Sequence, residues 1–204
     1  SAQNKTTLDV DLNVEDKTLQ ISQSIQYQNT STRVLDTIYL NDWAHSFSSK
    51  TTPLGIRFSE DYRRRFHFAK DEERGYTTIQ HISTPNNTSL TWRRLEEHPD
   101  IIEVVLNKPL DPQEAYNIKL NYSVRLPDEK FTRYGYYDNG DFKLRYWYIT
   151  PTVYNGEWQI YSHKNLDDQF IPKTDTFVTL TLPFHYKINS PLEILETNEG
   201  TNSG

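Results

Sequence analysis

Tyr116-Asn117-Ile118-Lys119-Leu120-Asn121-Tyr122-Ser123-Val124-Arg125-Leu126 places a large apolar side chain at every second position and a polar one between. Successive side chains of an extended chain point to opposite faces, so this stretch reads as a strand with one dry and one wet face. The same period recurs upstream. Leu8, Val10, Leu12 and Val14 alternate with polar residues, Glu15-Asp16-Lys17-Thr18 is turn-like, and Leu19, Ile21, Ile25 and Tyr27 resume the pattern. That is a hairpin ending at Asn29-Thr30-Ser31, with a third strand expected over 34–40. Further strands are expected over 76–83, 90–93 and 101–106, then through Phe142, Leu144, Tyr146 and Tyr148, and last over 177–182. Pro85-Asn86-Asn87 reads as a turn and 109–114 as a break. No window carries a sustained helical stripe. The fold class is therefore all-β, antiparallel with one dry face, and 204 residues suit a single β-sandwich or curved sheet, with 196–204 as a frayed tail.

One stretch departs from this pattern. Residues 41–75 are polar and rich in Ser, Arg and acids, with Pro53 and Gly55 as breakers. An insert of that length exceeds a simple turn and is expected to carry short helical pieces and some function. Residues 61–74 allow a helix, although Phe66 and Phe68 point to a partly extended course.

Composition narrows the function. Hydrophobic residues make up 35% of the 204, and the 14 Tyr, 9 Phe and 4 Trp supply the bulky rings that let such a chain close a core. Net charge is −6, and the basic residues are scattered except for Arg63-Arg64-Arg65, which reads as a solvated loop. A nucleic-acid binder needs a basic stripe to displace counterions, so nucleic acid is not expected as a partner. Without cysteine there is no disulfide framework and no thiol nucleophile. No run reaches the ~20 apolar residues of a membrane helix. Ser1-Ala2-Gln3-Asn4 reads as a processed or recloned start.

The familiar catalytic constellations are missing from the sequence. His45, His67, His81, His98, His163 and His185 include no pair four apart, so the His-Glu-x-x-His arrangement that holds zinc on one helical face does not occur. His163 with Asp167 and Asp168 is the best local cluster of metal-ligating types, and it reads more readily as a hydrogen-bonded turn. There is no Gly-x-Ser-x-Gly. Glu72-Glu73, Glu96-Glu97 and Asp167-Asp168 are adjacent carboxylates of the kind usually solvated, and His98-Pro99-Asp100 stands at a strand start. Asn4, Asn29, Asn86, Asn87 and Asn121 each open an Asn-x-Ser/Thr tripeptide, a weak glycosylation signal. The ring-rich stretch Tyr134, Tyr136, Tyr137, Tyr146, Trp147, Tyr148, Tyr154, Trp158 and Tyr161 leaves two readings open: a sugar-stacking face, or a packing layer.

Several segments, taken in order, resemble the N-terminal domain of the aminopeptidase N family of zinc metallopeptidases in its Bacteroidetes-type form. Segments 7–14, 19–29 and 35–43 resemble its opening strands. Leu40-Asn41-Asp42-Trp43-Ala44-His45-Ser46-Phe47-Ser48-Ser49-Lys50-Thr51-Thr52-Pro53-Leu54 is similar to its Trp-containing loop. Phe68-Ala69-Lys70-Asp71-Glu72-Glu73-Arg74-Gly75-Tyr76 resembles a further family segment. Pro99-Asp100-Ile101-Ile102, Leu106-Asn107-Lys108-Pro109-Leu110 and 119–127 follow the next strands. Trp147-Tyr148-Ile149-Thr150-Pro151-Thr152-Val153-Tyr154 is similar to the family's Trp-Tyr-Pro-Lys-Pro-Ala-Val-Tyr, with Ile149 where Pro is usual. The resemblance covers roughly residues 7–195 and implies a large, mostly antiparallel saddle-like or β-sandwich domain over them, with 1–6 and 196–204 as flexible ends.

The resemblance implies a non-catalytic domain that packs on a thermolysin-like catalytic domain and forms part of its substrate-cleft rim. It implies that this segment alone is no enzyme, with zinc held by the downstream domain and no cofactor here. The expected partners are that catalytic domain and a peptide substrate, with no nucleic acid and no membrane span. Export to the periplasm or outer surface is the expected location. Where the family has Leu-Asp-Gln-Gly-Glu-Phe, this chain reads Leu166-Asp167-Asp168-Gln169-Phe170, one residue shorter. Asp168 or Gln169 is the nearest equivalent of the side chain that anchors a substrate's α-amine, since an ammonium needs acceptors. Two other readings stay open: a free-standing glycan- or protein-binding module, and the scaffold domain of an inactive peptidase homologue.

Overall fold

The computed structural model describes residues 3–164 and 170–198. Thirteen strands run in chain order: β1 (Asn4–Asn13), β2 (Thr18–Gln28), β3 (Leu35–Asn41), β4 (Tyr76–Ser83), β5 (Thr91–Arg94), β6 (Ile101–Leu110), β7 (Ala115–Arg125), β8 (Gly135–Tyr136), β9 (Phe142–Lys143), β10 (Thr150–Pro151), β11 (Val153–Tyr154), β12 (Trp158–Gln159) and β13 (Thr174–Thr181). One sheet has the order β13-β1-β2-β7-β4 and the other β10-β3-β6-β5, with β11–β12 and β8–β9 as small hairpins. All pairings are antiparallel except β13 on β1. The fold is the expected all-β, sandwich-like, mostly antiparallel one.

Strand β7 keeps the promise of its sequence: Tyr116, Ile118, Leu120, Tyr122 and Val124 are buried, and Asn117, Lys119 and Asn121 are exposed. On β2, Leu19, Ile21, Ile25 and Tyr27 lie on the buried face, and from the second sheet Ile38, Leu40, Ile102 and Val104 join the same core. Each such side chain taken out of water contributes about 1.5–3 kcal/mol, which makes one-face burial decisive for register. Gln23 occupies the central position of the apolar row on β2 and is itself buried. Its Nε2 donates to Thr6 Oγ1 (2.9 Å) and to the Ile149 carbonyl (2.7 Å), while Tyr122 Oη–H donates to Gln23 Oε1 at 2.5 Å. The Ile149 N–H in turn donates to Tyr122 Oη (3.1 Å), so this closed knot ties β2 and β7 to the chain entering β10.

The long insert folds into short helices: a 3-10 turn at Trp43–Phe47, α1 (Pro53–Glu60), α2 (Arg64–His67) and a 3-10 turn at Asp71–Glu73. Thr52 caps α1 by accepting from the Gly55 N–H, with Pro53 inside the first turn, where its missing N–H costs nothing. Phe66 is buried among Phe47, Phe58 and Phe131, which fixes the course of 61–74 as a folded loop rather than one helix.

Two expectations need correction. The alternation through Phe142, Leu144, Tyr146 and Tyr148 forms a strand only at Phe142–Lys143. Tyr146 has φ +52, which breaks an extended course and turns its ring edge-on to Trp43 at 5.4 Å. Second, β6 continues through Pro109 to Leu110, because the register slips between Leu35 and Thr37 and leaves a bulge in which proline's missing donor is tolerated. At the start of the fold, β1 begins at Asn4. Asn4 Oδ1 accepts the Gln28 N–H (2.8 Å), and Thr6 Oγ1 donates to the Ser24 carbonyl (3.2 Å).

Candidate functional site

Two buried carboxylates organise the junction between the Trp43 loop, the β5–β6 connection and the chain reaching residue 164. Asp42 Oδ1 accepts from Thr77 Oγ1 and Oδ2 from Arg94 Nη2, both at 2.7 Å. Arg94 also donates through Nη1 to the Pro99 carbonyl (2.8 Å). The Thr77 N–H donates to His45 Nδ1 at 3.1 Å, which requires an unprotonated nitrogen there. Burial, together with the Arg94 guanidinium, pushes the His45 imidazole down to about 4. It is neutral at pH 7.

Asp100, whose backbone carbonyl accepts the Asp42 N–H (2.8 Å), is the second carboxylate. Its Oδ1 accepts from Ser162 Oγ and its Oδ2 from the His163 N–H, each at 2.7 Å. Burial pushes the Asp100 carboxyl up, against those hydrogen bonds. His98 Nδ1 lies 2.7 Å from Ser162 Oγ. His163 is buried with its ring 6.0 Å from Phe47 and 6.1 Å from Tyr146, and burial with the nearby Arg145 pushes it down to about 4.

A serine, a histidine and an aspartate in contact invite comparison with a hydrolase triad, and the wiring excludes it. A triad places the imidazole between hydroxyl and carboxylate, so that the imidazole can take the hydroxyl proton. Here the hydroxyl stands between the two, donates its hydrogen bond to Asp100, and is buried. The cluster is a clamp: one carboxylate grips two consecutive residues and fixes the direction in which the chain leaves β12.

Beside it lies an open groove of about 440 Å³ lined by Ser48, Thr51, Thr52, Glu96, Glu97 and Pro99. Glu96 and Glu97 are exposed there, as solvated carboxylates should be. Glu73 is pulled below the usual carboxylate range by its hydrogen bond from Lys130 and by the Lys70 N–H (2.7 Å), which makes it a structural cap.

No family model matches the chain. No curated protein matches it either. Among solved structures it is similar to a mutant two-domain M1 zinc metallopeptidase bound to L-arginine, at 15% identity and TM-score 0.35, covering 60% of this chain and 19% of that one. It is likewise similar to a mutant M1 zinc metallopeptidase from Deinococcus radiodurans (15%, TM-score 0.35, 60% and 20%). A third is a mutant two-domain M1 zinc metallopeptidase bound to L-tryptophan (14%, TM-score 0.34, 62% and 21%). The chain spans about a fifth of the length of the solved chains it matches. Overlaps of this extent carry no argument about what this chain does.

Asp168 and Gln169, the expected amine anchors, lie outside the described residues, as does Asp167. The cluster of His163 with Asp167 and Asp168 therefore cannot be placed. Among the described residues no group of three or more His, Cys, Asp or Glu side chains is positioned to hold a metal ion. The aromatic stretch resolves largely into packing. Trp158 meets Tyr27, Tyr39 and Tyr154 at 5.0–5.8 Å, closing the mouth between the sheets, and Tyr134 is buried against Phe47. Of its rings only Tyr161 is largely exposed. Among the tripeptide asparagines, Asn29 is buried with its Nδ2 donating to the Arg33, Leu110 and Asp111 carbonyls, whereas Asn86, Asn87 and Asn121 are exposed. Arg94 and Ser162 were not singled out from sequence, Asp42 appeared only within a family-like segment, and Asp100 only within His98-Pro99-Asp100 and a family-like segment, without this role. The one available signal was an acid beside Trp43 and another between Pro99 and the apolar run of β6.

Proposed function

We propose that this chain is the non-catalytic N-terminal β domain of an exported bacterial zinc aminopeptidase-like protein, packing on a catalytic domain and forming part of its cleft rim. The observation that carries the reading is an uncovered apolar run at the end of the fold. Edge strand β13 has no buried residue, with Phe177 exposed on it, and beyond it Phe184 is 82%, Ile188 46%, Leu192 55%, Ile194 58% and Leu195 76% exposed. The run is held to the body where Tyr186 Oη–H donates to the Gly140 carbonyl (2.9 Å) and the Tyr186 ring meets Phe142. Exposed apolar surface concentrated in this way is characteristic of a face that another unit covers. The ordered family-like segments support the same reading: Trp43, Phe47, Ile149 and Pro151 in them are all buried.

In this reading Asp168 or Gln169 would supply the acceptor that holds the substrate's ammonium. The zinc and its activated water belong to the catalytic domain. No helix among the described residues is long and apolar enough to cross a membrane.

The test pairs Phe184→Ser with Leu192→Ser. Both side chains are exposed, so the variant chain alone should melt where the parent does. In the full-length product the same variant should melt earlier and be cleaved faster between domains by limited proteolysis. Equal behaviour in the full-length product would remove the packing role. Separately, Asp168→Ala and Gln169→Ala in that product should raise KM for peptides with a free amino terminus. Unchanged kinetics for both would remove them as anchors.

A further inference from the structure

Residues 61–68 form a knuckle pinned at one point. Phe66 is buried, with its ring edge-on to Phe58 (5.1 Å) and Phe131 (5.0 Å) and the Arg74 guanidinium over it at 5.4 Å. Backbone bonds brace the turn, including Arg63 N–H to the Phe58 carbonyl (2.7 Å) and Phe68 N–H to the Arg64 carbonyl (3.1 Å). Around that pin every other side chain of the segment faces solvent: Tyr62 is 84% and Phe68 75% exposed, and Arg63, Arg64, Arg65 and His67 are exposed too. Tyr62 has φ +58, an uncommon and strained backbone state for a bulky residue. The strain presents an aromatic ring to water.

The knuckle keeps a positive excess, with Arg63, Arg64 and Arg65 against Asp61 alone within 61–68. Glu60 and Asp61, the nearest acids in sequence, are both engaged by Arg57, at 3.8 and 3.3 Å. Asp71 is engaged by Arg74. Among the described residues neither Arg64 nor Arg65 has an ion pair. A chain of net charge −6 thus concentrates positive charge and two exposed rings, Phe68 with His67 edge-on to it at 5.1 Å, on one small protrusion.

We propose that this knuckle docks an acidic protein segment, its carboxylates on the Arg64 and Arg65 guanidinium forks and an apolar side chain against Tyr62 and Phe68. Guanidinium groups match carboxylates bidentately, and Tyr, Phe and Arg are the residue types that dominate protein interfaces. Charge also decides between occupants. A short acidic segment meets only the local field, because the rest of the chain's negative charge is screened beyond about 8 Å at physiological salt. An anionic bilayer is an extended surface that meets the whole repulsive molecule, so it fits less well.

The probe is a fluorescein-labelled dodecapeptide of Asp, Glu and Leu, titrated with the chain and read by fluorescence anisotropy. Saturable, salt-sensitive binding is expected, weakened about tenfold by Arg64→Glu with Arg65→Glu and about threefold by Phe68→Ser. The control is Arg33→Glu with Lys108→Glu, which changes net charge equally at exposed positions elsewhere and should weaken binding less than about twofold. The proposal is overturned if binding is not saturable, or if the control weakens it as much as the knuckle variant. It also fails if phosphatidylserine vesicles bind the chain through Arg64 and Arg65 while the peptide does not.

Discussion

Replacing Asp100 separates two roles that a buried carboxylate can play. Asp100 is fully buried and accepts from Ser162 Oγ and the His163 N–H. Asp100→Ala leaves the His163 N–H without its partner in a buried place, at about 1–3 kcal/mol, and removes a charge-assisted bond to Ser162. The relief of a buried charge offsets part of this, so a net loss of about 3 kcal/mol is expected. Asp100→Asn should behave differently. Its Oδ1 can still accept from His163, and its Nδ2 can donate to Ser162 Oγ if that hydroxyl turns to donate to His98 Nδ1, which lies 2.7 Å away. The network then runs in reverse with every member paired, and the change should stay within about 1 kcal/mol. The pH dependence adds a check. Burial raises the Asp100 carboxyl in the fold, so its stabilising contribution is full below the ordinary value of 3.8 and is lost as pH rises through the folded value. Asp100→Asn should therefore be least harmful at neutral pH. Urea unfolding followed by tryptophan fluorescence measures all three proteins. Equal losses for Asn and Ala, or no loss for Ala, would refute the clamp.

Three further outcomes are expected. His45 and His163 are depressed from 6.5 to about 4, so the stability they contribute is full above 6.5 and lost as pH falls towards 4. Unfolding free energies from urea titrations should drop by roughly 1–3 kcal/mol per imidazole over that window, and a flat profile would contradict the neutral assignment. Tyr122→Phe strands Gln23 Oε1 and the Ile149 N–H, and should cost about 2–3 kcal/mol in the same assay, with loss of amide-exchange protection at Ile149. Expressed in a glycosylating host, the chain should carry glycan at Asn86 or Asn87 and none at Asn29, whose amide is occupied by three carbonyls; peptide mass spectrometry decides it.

The sheets were legible wherever one face is dry and the other wet, because the period of two then fixes both strand and register. Tyr116 to Leu126 and the β1–β2 hairpin are of this kind. The Phe142–Tyr148 alternation failed because ring size, not strand pairing, sets its pattern: Tyr146 leaves the extended region to meet Trp43. Gln23 could have been read as buried from its place in the β2 row, but its partners, Thr6, Tyr122 and Ile149, come from distant segments. The same holds for the Asp42 and Asp100 networks. A carboxylate's partner 52 or 62 residues away leaves no local spacing to read. Arg63-Arg64-Arg65 was correctly exposed, yet the rings beside it became informative only once Phe66 was seen to be the single pin.

The central claim is that the chemistry lies outside this chain and that the chain serves it as a packed domain. Hydrolysis of an amino-acid p-nitroanilide, run side by side with the chain alone and with the full-length product, tests it most directly. The account predicts no turnover by the chain at any zinc concentration, and turnover by the full-length product that a chelator abolishes and zinc restores. Zinc-dependent turnover by the chain alone would contradict it, as would a full-length product whose turnover is indifferent to chelation.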